Sequence, residues 1–94
     1  MKAIIDNKLY DTEKAEKIIE FRRSGTRTTE VWGSLMNKPF LHDVTLYKTA
    51  KGNYFEVDEV DKVIEVVTEK RVKKLLSDID PDLYMKLFGE VEEG

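Results

Sequence analysis

The chain has 94 residues, a formal net charge of −3, 40% hydrophobic and 37% charged residues, and no cysteine. So short a chain buries only about two thirds of its unfolded surface, so residues 1–94 read as one domain with a thin core. The lack of cysteine excludes a disulfide framework, a thiolate zinc site and a cysteine nucleophile. The apolar run in Met1-Lys2-Ala3-Ile4-Ile5 is too short for a signal peptide or a membrane span, so a cytoplasmic setting is expected.

Lys2-Ala3-Ile4-Ile5 and Lys8-Leu9-Tyr10 flank Asp6-Asn7 and predict a small β-hairpin, because Asp and Asn tolerate the positive φ of a two-residue turn. Asp11 or Thr12 then caps a predicted helix. Its apolar positions Ala15, Ile18 and Ile19 follow helical spacing, Arg22-Arg23 suit the negative end of the dipole, and Ser24-Gly25 closes it. Between Gly25 and His42 the pattern weakens. Thr26, Thr28, Thr29, Val31 and Trp32 favour strand, whereas Gly33, Asn37 and Pro39 interrupt it, which predicts a short strand near residues 29–35.

From Asp43 the signal sharpens into a central hairpin, Thr45 to Val57, with Gly52 as its left-handed residue and Tyr54 and Phe55 pointing to opposite faces. After an acidic bend at Glu56 to Asp61, the β-branched run Lys62 to Val67 predicts a strand. Thr68 caps a helix whose Val72, Leu75, Leu76 and Ile79 fall at i, i+3, i+4 and i+7 on one stripe. Asp80-Pro81 starts a last helix, with Leu83, Tyr84, Leu87 and Phe88 as its apolar residues and Gly89 as its end. Residues 90–94 read as a frayed acidic tail. The expected class is α+β: a mostly antiparallel sheet of four to five strands, one helix before its main part and two short helices at the C-terminus.

The sequence offers little chemistry. His42 is the only histidine, and as a general base it would need a nucleophile and an orienting group, yet its neighbour Asp43 points to the other face of a strand. It reads as a structural or surface histidine. Asp58, Glu59 and Asp61 are of a type that holds Mg²⁺ or serves acid/base work, but without calcium-loop spacing or a basic partner for phosphate they read as a solvated bend. No catalytic, cofactor-binding or metal-binding residue is assigned, no cofactor is expected, and a non-enzymatic role is.

Charge is spread unevenly. Residues 1–55 hold ten Lys/Arg against seven Asp/Glu, and residues 56–94 hold six against twelve. The acidic half suggests partner contacts at Glu56, Asp58, Glu59 and Asp61 that imitate a phosphate backbone before a basic groove. The basic half suggests the opposite, a phosphate-binding strip of Arg22, Arg23, Arg27, Lys48 and Lys51 with Trp32, Tyr47 or Tyr54 stacking on bases. A pI near 5.2 and the lack of a reading helix weigh against this strip, since Lys70, Arg71, Lys73 and Lys74 are more simply the solvent face of their helix.

Three segments, in order, carry a resemblance: Ile4-Ile5-Asp6-Asn7-Lys8-Leu9-Tyr10-Asp11-Thr12-Glu13-Lys14-Ala15-Glu16; Leu46-Tyr47-Lys48-Thr49-Ala50-Lys51-Gly52-Asn53-Tyr54-Phe55; and Leu83-Tyr84 through Phe88-Gly89-Glu90-Val91-Glu92-Glu93. Together they resemble a family of short proteins encoded by phages and by conjugative or integrative elements of Gram-positive bacteria. The family usually has a glycine in its first turn, where this chain has Asp6-Asn7. Its middle is often rich in glycine and aromatics, where this chain has Arg27 to Pro39. That middle is therefore where this member's own specificity is expected.

The resemblance implies a mobile-element accessory role and carries over no functional residue. Proteins resembling the family occur among anti-CRISPR inhibitors, which makes an anti-defence inhibitor docking on a CRISPR effector nuclease the first expectation. A small nucleic-acid-binding or regulatory protein is the second. A homodimeric interaction module, pairing through a sheet edge or the last helix, is the third.

Overall fold

The computed structural model describes the backbone of residues 1–94 and the side chains of all but residues 26–29, 31, 38 and 39. Strands β1 (Lys2–Ile5) and β2 (Lys8–Asp11) form the expected hairpin, with Asp6 and Asn7 at φ of 52° and 61°. Positive φ at both central residues matches the right-handed twist of the flanking strands. The main sheet is antiparallel, in the order β3 (Glu16–Val31), β4 (Ser34–Lys48), β5 (Tyr54–Asp58), β6 (Val63–Val67). Helices α1 (Glu69–Ile79) and α2 (Pro81–Phe88) follow. The α+β class and the two C-terminal helices stand as expected.

The helix expected before the sheet is absent, because residues 16–31 are strand. The capping chemistry at its expected start does exist, but it closes a single turn: Asp11 Oδ1 accepts the Glu13 N–H at 3.0 Å, and the Asp11 carbonyl accepts the Lys14 and Ala15 N–H groups. The helical spacing of Ala15, Ile18 and Ile19 has another cause. The pairing register shifts between Lys17 and Ile19, leaving Ile18 as the extra residue of a β-bulge. A bulge breaks strand alternation, so consecutive Ile18 and Ile19 both reach the same core while Ala15 joins a different one.

The short strand expected near residues 29–35 is also corrected. Two long strands meet there at the two-residue turn Trp32-Gly33, with φ of 53° and 78°. Pro39 sits inside β4 opposite Thr26. A ribbon with two open edges tolerates a residue that cannot donate to a ladder.

Both faces of the sheet's compact end are covered. On one face Leu46, Tyr54 and Val67 pack with Val72 and Leu76 of α1, flanked by Ile18, Ile19, Phe21, Leu83 and Phe88. On the other, Phe55 and Val57 pack with Tyr10, flanked by Ile5, Ala15, Tyr47 and Ile64. Tyr54 and Phe55 thus serve opposite faces, as alternation requires. Phe55 stacks on Tyr47 at 5.1 Å between centroids and meets Tyr10 edge-on at 5.5 Å.

The central hairpin closes through Thr49 to Asn53, with Gly52 at φ of 88°. Thr68 Oγ1 accepts the Arg71 N–H at the start of α1, and Asp80 Oδ1 accepts the Leu83 N–H at the start of α2 behind Pro81. Gly89 ends α2, and residues 90–94 carry no regular secondary structure. No helix among the described residues is long and apolar enough to cross a membrane.

Candidate binding surfaces: the arm and the polar face at its root

Pairing of β4 with β5 begins at Val44, so from Arg22 and Asp43 outward only β3 and β4 remain paired with each other. This two-stranded arm is ten residues long on each side of its tip, about 30 Å at strand rise. It accounts for a radius of gyration of 16.2 Å, against about 12 Å for a compact chain of this length. The tip is apolar: Trp32 is 100% exposed, Leu35 is 76% exposed, and Leu41 is exposed further down.

Cross-strand partners share a face of a sheet. Pairs Arg23↔His42, Val44↔Asp58 and Glu56↔Glu65 therefore place one polar cluster on the helix-bearing face, just beyond the helices at the root of the arm. Glu56 is 3% exposed and held by a fork: Arg23 Nη1 donates to Oε2 at 2.8 Å and Nη2 donates to Oε1 at 3.0 Å. Arg71 of α1 lies 3.8 Å from Glu56 and 3.5 Å from Glu65. Hydrogen bonding to Glu56 is the main cause that raises the Arg23 guanidinium above its ordinary value.

Beside this fork, His42 Nδ1 lies 2.8 Å from Asp58 Oδ2 and 3.7 Å from Asp61 Oδ2. Asp58 Oδ1 accepts the Val60 and Asp61 N–H groups at 3.0 and 3.1 Å. Burial pushes the Asp58 carboxyl up, but those two amides and the His42 ring outweigh it and hold it below the ordinary carboxylate value. The His42 ring is seated edge-on against Phe40 at 4.4 Å and over Gly25, where a Cβ would lie 2.8 Å from Nε2. A cavity of about 340 Å³, whose lining includes Arg23, Gly25, His42, Asp58 and Asp61, opens here.

The acidic residues singled out in the sequence do not form one exposed set. Glu56 is buried and paired, Asp58 organises the β5–β6 turn, and Glu59 accepts a hydrogen bond from Thr45 Oγ1 at 3.1 Å. Asp61 is 47% exposed. The basic residues are dispersed as well. Arg22 pairs with Asp43 at 3.1 Å on the face opposite Arg23, Lys48 lies over the Tyr54 ring at 5.7 Å, and Lys51 is exposed in the central hairpin loop. The Arg27 side chain lies outside the described residues. Of the three aromatics considered for stacking, Tyr54 is core, Tyr47 packs against the core, and Trp32 is exposed.

His42 and Asp43 do point to opposite faces, His42 toward Asp58 and Asp43 toward Arg22. Sequence reasoning missed that the strand partner supplies the carboxylates His42 lacks next door. It also missed the arm, although Trp32-Gly33, directly after the strand-forming Thr28, Thr29 and Val31, was a usable turn signal.

No protein-family model, no curated protein and no solved structure matches the chain. Its class is accordingly described by its own architecture: an α+β domain in three layers, hairpin, sheet and helices, that extends a two-stranded arm.

Proposed function

We propose that the chain is a non-enzymatic binding protein that docks on a protein partner by its arm. The resemblance to mobile-element proteins makes that role an anti-defence one, with a CRISPR effector nuclease as the first partner to test. The observation that carries the reading is Trp32, wholly exposed at the end of a ribbon that, among the described residues, pairs with no third strand. Tryptophan concentrates binding energy when a partner pocket desolvates it, and an apolar tip on a polar arm suits insertion into such a pocket. Residues Arg27 to Pro39, where the chain departs from the family it resembles, include that tip.

The second reading, nucleic-acid binding, draws on the arm's charge: Arg22, Arg23, Arg27 and Lys38 against Glu30 and Asp43 give residues 22–43 a net +2. Ion pairing of Arg22 with Asp43 and of Arg23 with Glu56 takes two of those cations out of play, which favours the protein partner.

The test is a titration of the protein into an RNA-loaded CRISPR nuclease, reading both binding and target cleavage, beside Trp32→Ala. Binding should block cleavage at stoichiometric ratio, and Trp32→Ala should weaken it about 30-fold, the equivalent of about 2 kcal/mol for a buried interface tryptophan. Undiminished affinity in Trp32→Ala would remove the arm from the contact. Retention on DNA or RNA with a steep salt slope, and none on the nuclease, would establish the second reading.

A further inference from the structure

We propose that His42 Nδ1, Asp58 Oδ2 and Asp61 Oδ2 form a binding site for a first-row divalent transition ion, Zn²⁺ foremost, at the root of the arm. The inference is independent of what the arm binds.

Three observations carry it. First, the three donor atoms already lie at ligand spacing. Nδ1 is 2.8 Å and 3.7 Å from the two oxygens, and all three atoms fall within 4.8 Å of one another. Ligands bonded at about 2.1 Å stand about 3.0 to 3.4 Å apart around an octahedral or tetrahedral ion. Asp61, about half exposed at a turn, closes the widest gap by side-chain rotation.

Second, Nδ1 is buried yet has no hydrogen-bond partner, although Asp58 Oδ2 is 2.8 Å away. An ordinary His–Asp pair places the oxygen along the ring N–H direction. Here it lies outside hydrogen-bond geometry, which leaves the Nδ1 lone pair open to a cation that the carboxylate can also reach. Such a cation satisfies both.

Third, two of the three donors, those of Asp58 and His42, are held in place by groups that do not themselves ligate. Asp58 Oδ1 is fixed by two backbone N–H groups, which leaves Oδ2 toward the ring. The ring packs edge-on against Phe40 and fills the space that a side chain at Gly25 would need. Fixing ligands through their outer contacts is how proteins set metal affinity.

The donor chemistry selects the ion. One imidazole nitrogen with two carboxylate oxygens suits Zn²⁺, Co²⁺ or Mn²⁺ better than Mg²⁺ or Ca²⁺, which take oxygen alone, and Zn²⁺ binds such a mixed set more tightly than Mn²⁺. The surroundings do not oppose a cation, since Arg23, the cation in the cavity lining, is neutralised by its fork with Glu56, and Glu65 adds a further carboxylate there. The cavity leaves room for water to complete the coordination. The ion would tie β4 at the arm's root to the turn between β5 and β6, and so fix the arm's angle to the domain.

The experiment is isothermal titration of the full-length, chelator-treated protein with Zn²⁺, with ¹H–¹⁵N NMR to locate the shifts. Saturable binding of one ion per chain is expected, with shifts centred on residues 40–44 and 58–62. Asp61→Asn, a change at a side chain about half exposed, should weaken it about 100-fold, the upper end of the roughly 10- to 100-fold usual for losing even a supporting partner. Asp43→Asn, on the other face of the same strand, should leave it unchanged. Absence of saturable binding, an Asp61→Asn affinity equal to wild type, or equal losses in both variants would each overturn the site.

Discussion

Removing the two ends of the Arg23–Glu56 fork should have unequal consequences. Glu56 is 3% exposed, whereas the Arg23 side chain is 36% exposed. Arg23→Ala strands a carboxylate that is almost wholly withdrawn from solvent, and breaking a buried pair this way costs about 3–5 kcal/mol. Arg71 at 3.8 Å recovers part of that, which places the expected loss near the lower end, about 3 kcal/mol. Glu56→Gln instead leaves a guanidinium that reaches solvent and still donates to the amide oxygen, so about 1–2 kcal/mol is expected. For a domain of this size each kcal/mol moves Tm by about 4–8 °C, so Arg23→Ala should melt roughly 12–24 °C lower. Replacing both residues with apolar ones of similar volume, Arg23→Met with Glu56→Leu, should return stability close to wild type. Urea unfolding followed by far-UV circular dichroism, at constant m, measures all three variants. If Arg23→Ala costs no more than Glu56→Gln, or less than about 1 kcal/mol, the carboxylate is not desolvated and the reasoning is refuted. The same asymmetry bears on function, because a charge reversal at Glu56 would lose binding by unfolding the sheet rather than by removing a contact.

Two further substitutions probe the packing. Leu76, wholly buried between α1 and the sheet, should cost about 2–5 kcal/mol as Leu76→Ala, since transfer and cavity effects add. A loss below about 1 kcal/mol in urea would mean that the helix layer is not packed on Leu46 and Tyr54. Gly25→Ala places a Cβ 2.8 Å from His42 Nε2 and 3.1 Å from Cδ2, against a ring that Phe40 holds in place. It should destabilise by about 1–3 kcal/mol through overpacking. An unchanged Tm would show that the ring swings aside freely, and that Gly25 does not position it.

Much of the chain was legible from neighbouring residues. Asp6-Asn7 and Gly52 accept positive φ, so both hairpins could be placed from their turns. The apolar stripe of α1 and the caps Thr68 and Asp80 marked both helices, because capping and 3.6-residue periodicity act within a turn or two. The sequence by itself therefore determined the local elements whose partners lie close along the chain.

What it left undecided involves distance. Ile18 and Ile19 imitate a helical face because one bulge, set by pairing with β4, lets both reach the core. Beyond its root the arm pairs with no third strand among the described residues, so its sequence lacks the alternation that marks a strand, and only the pairing of its two strands with each other reveals them. Arg23 and Glu56 are 33 residues apart, and His42 meets Asp58 through a neighbouring strand. Nothing local distinguishes these charges from solvated ones. Whether an ionisable group is paired, buried or exposed depends on what the folded chain sets against it and on how much water remains there. The tertiary structure alone decided that Glu56 is a buried strut, that His42 faces two carboxylates, and that Trp32 stands at the end of an arm.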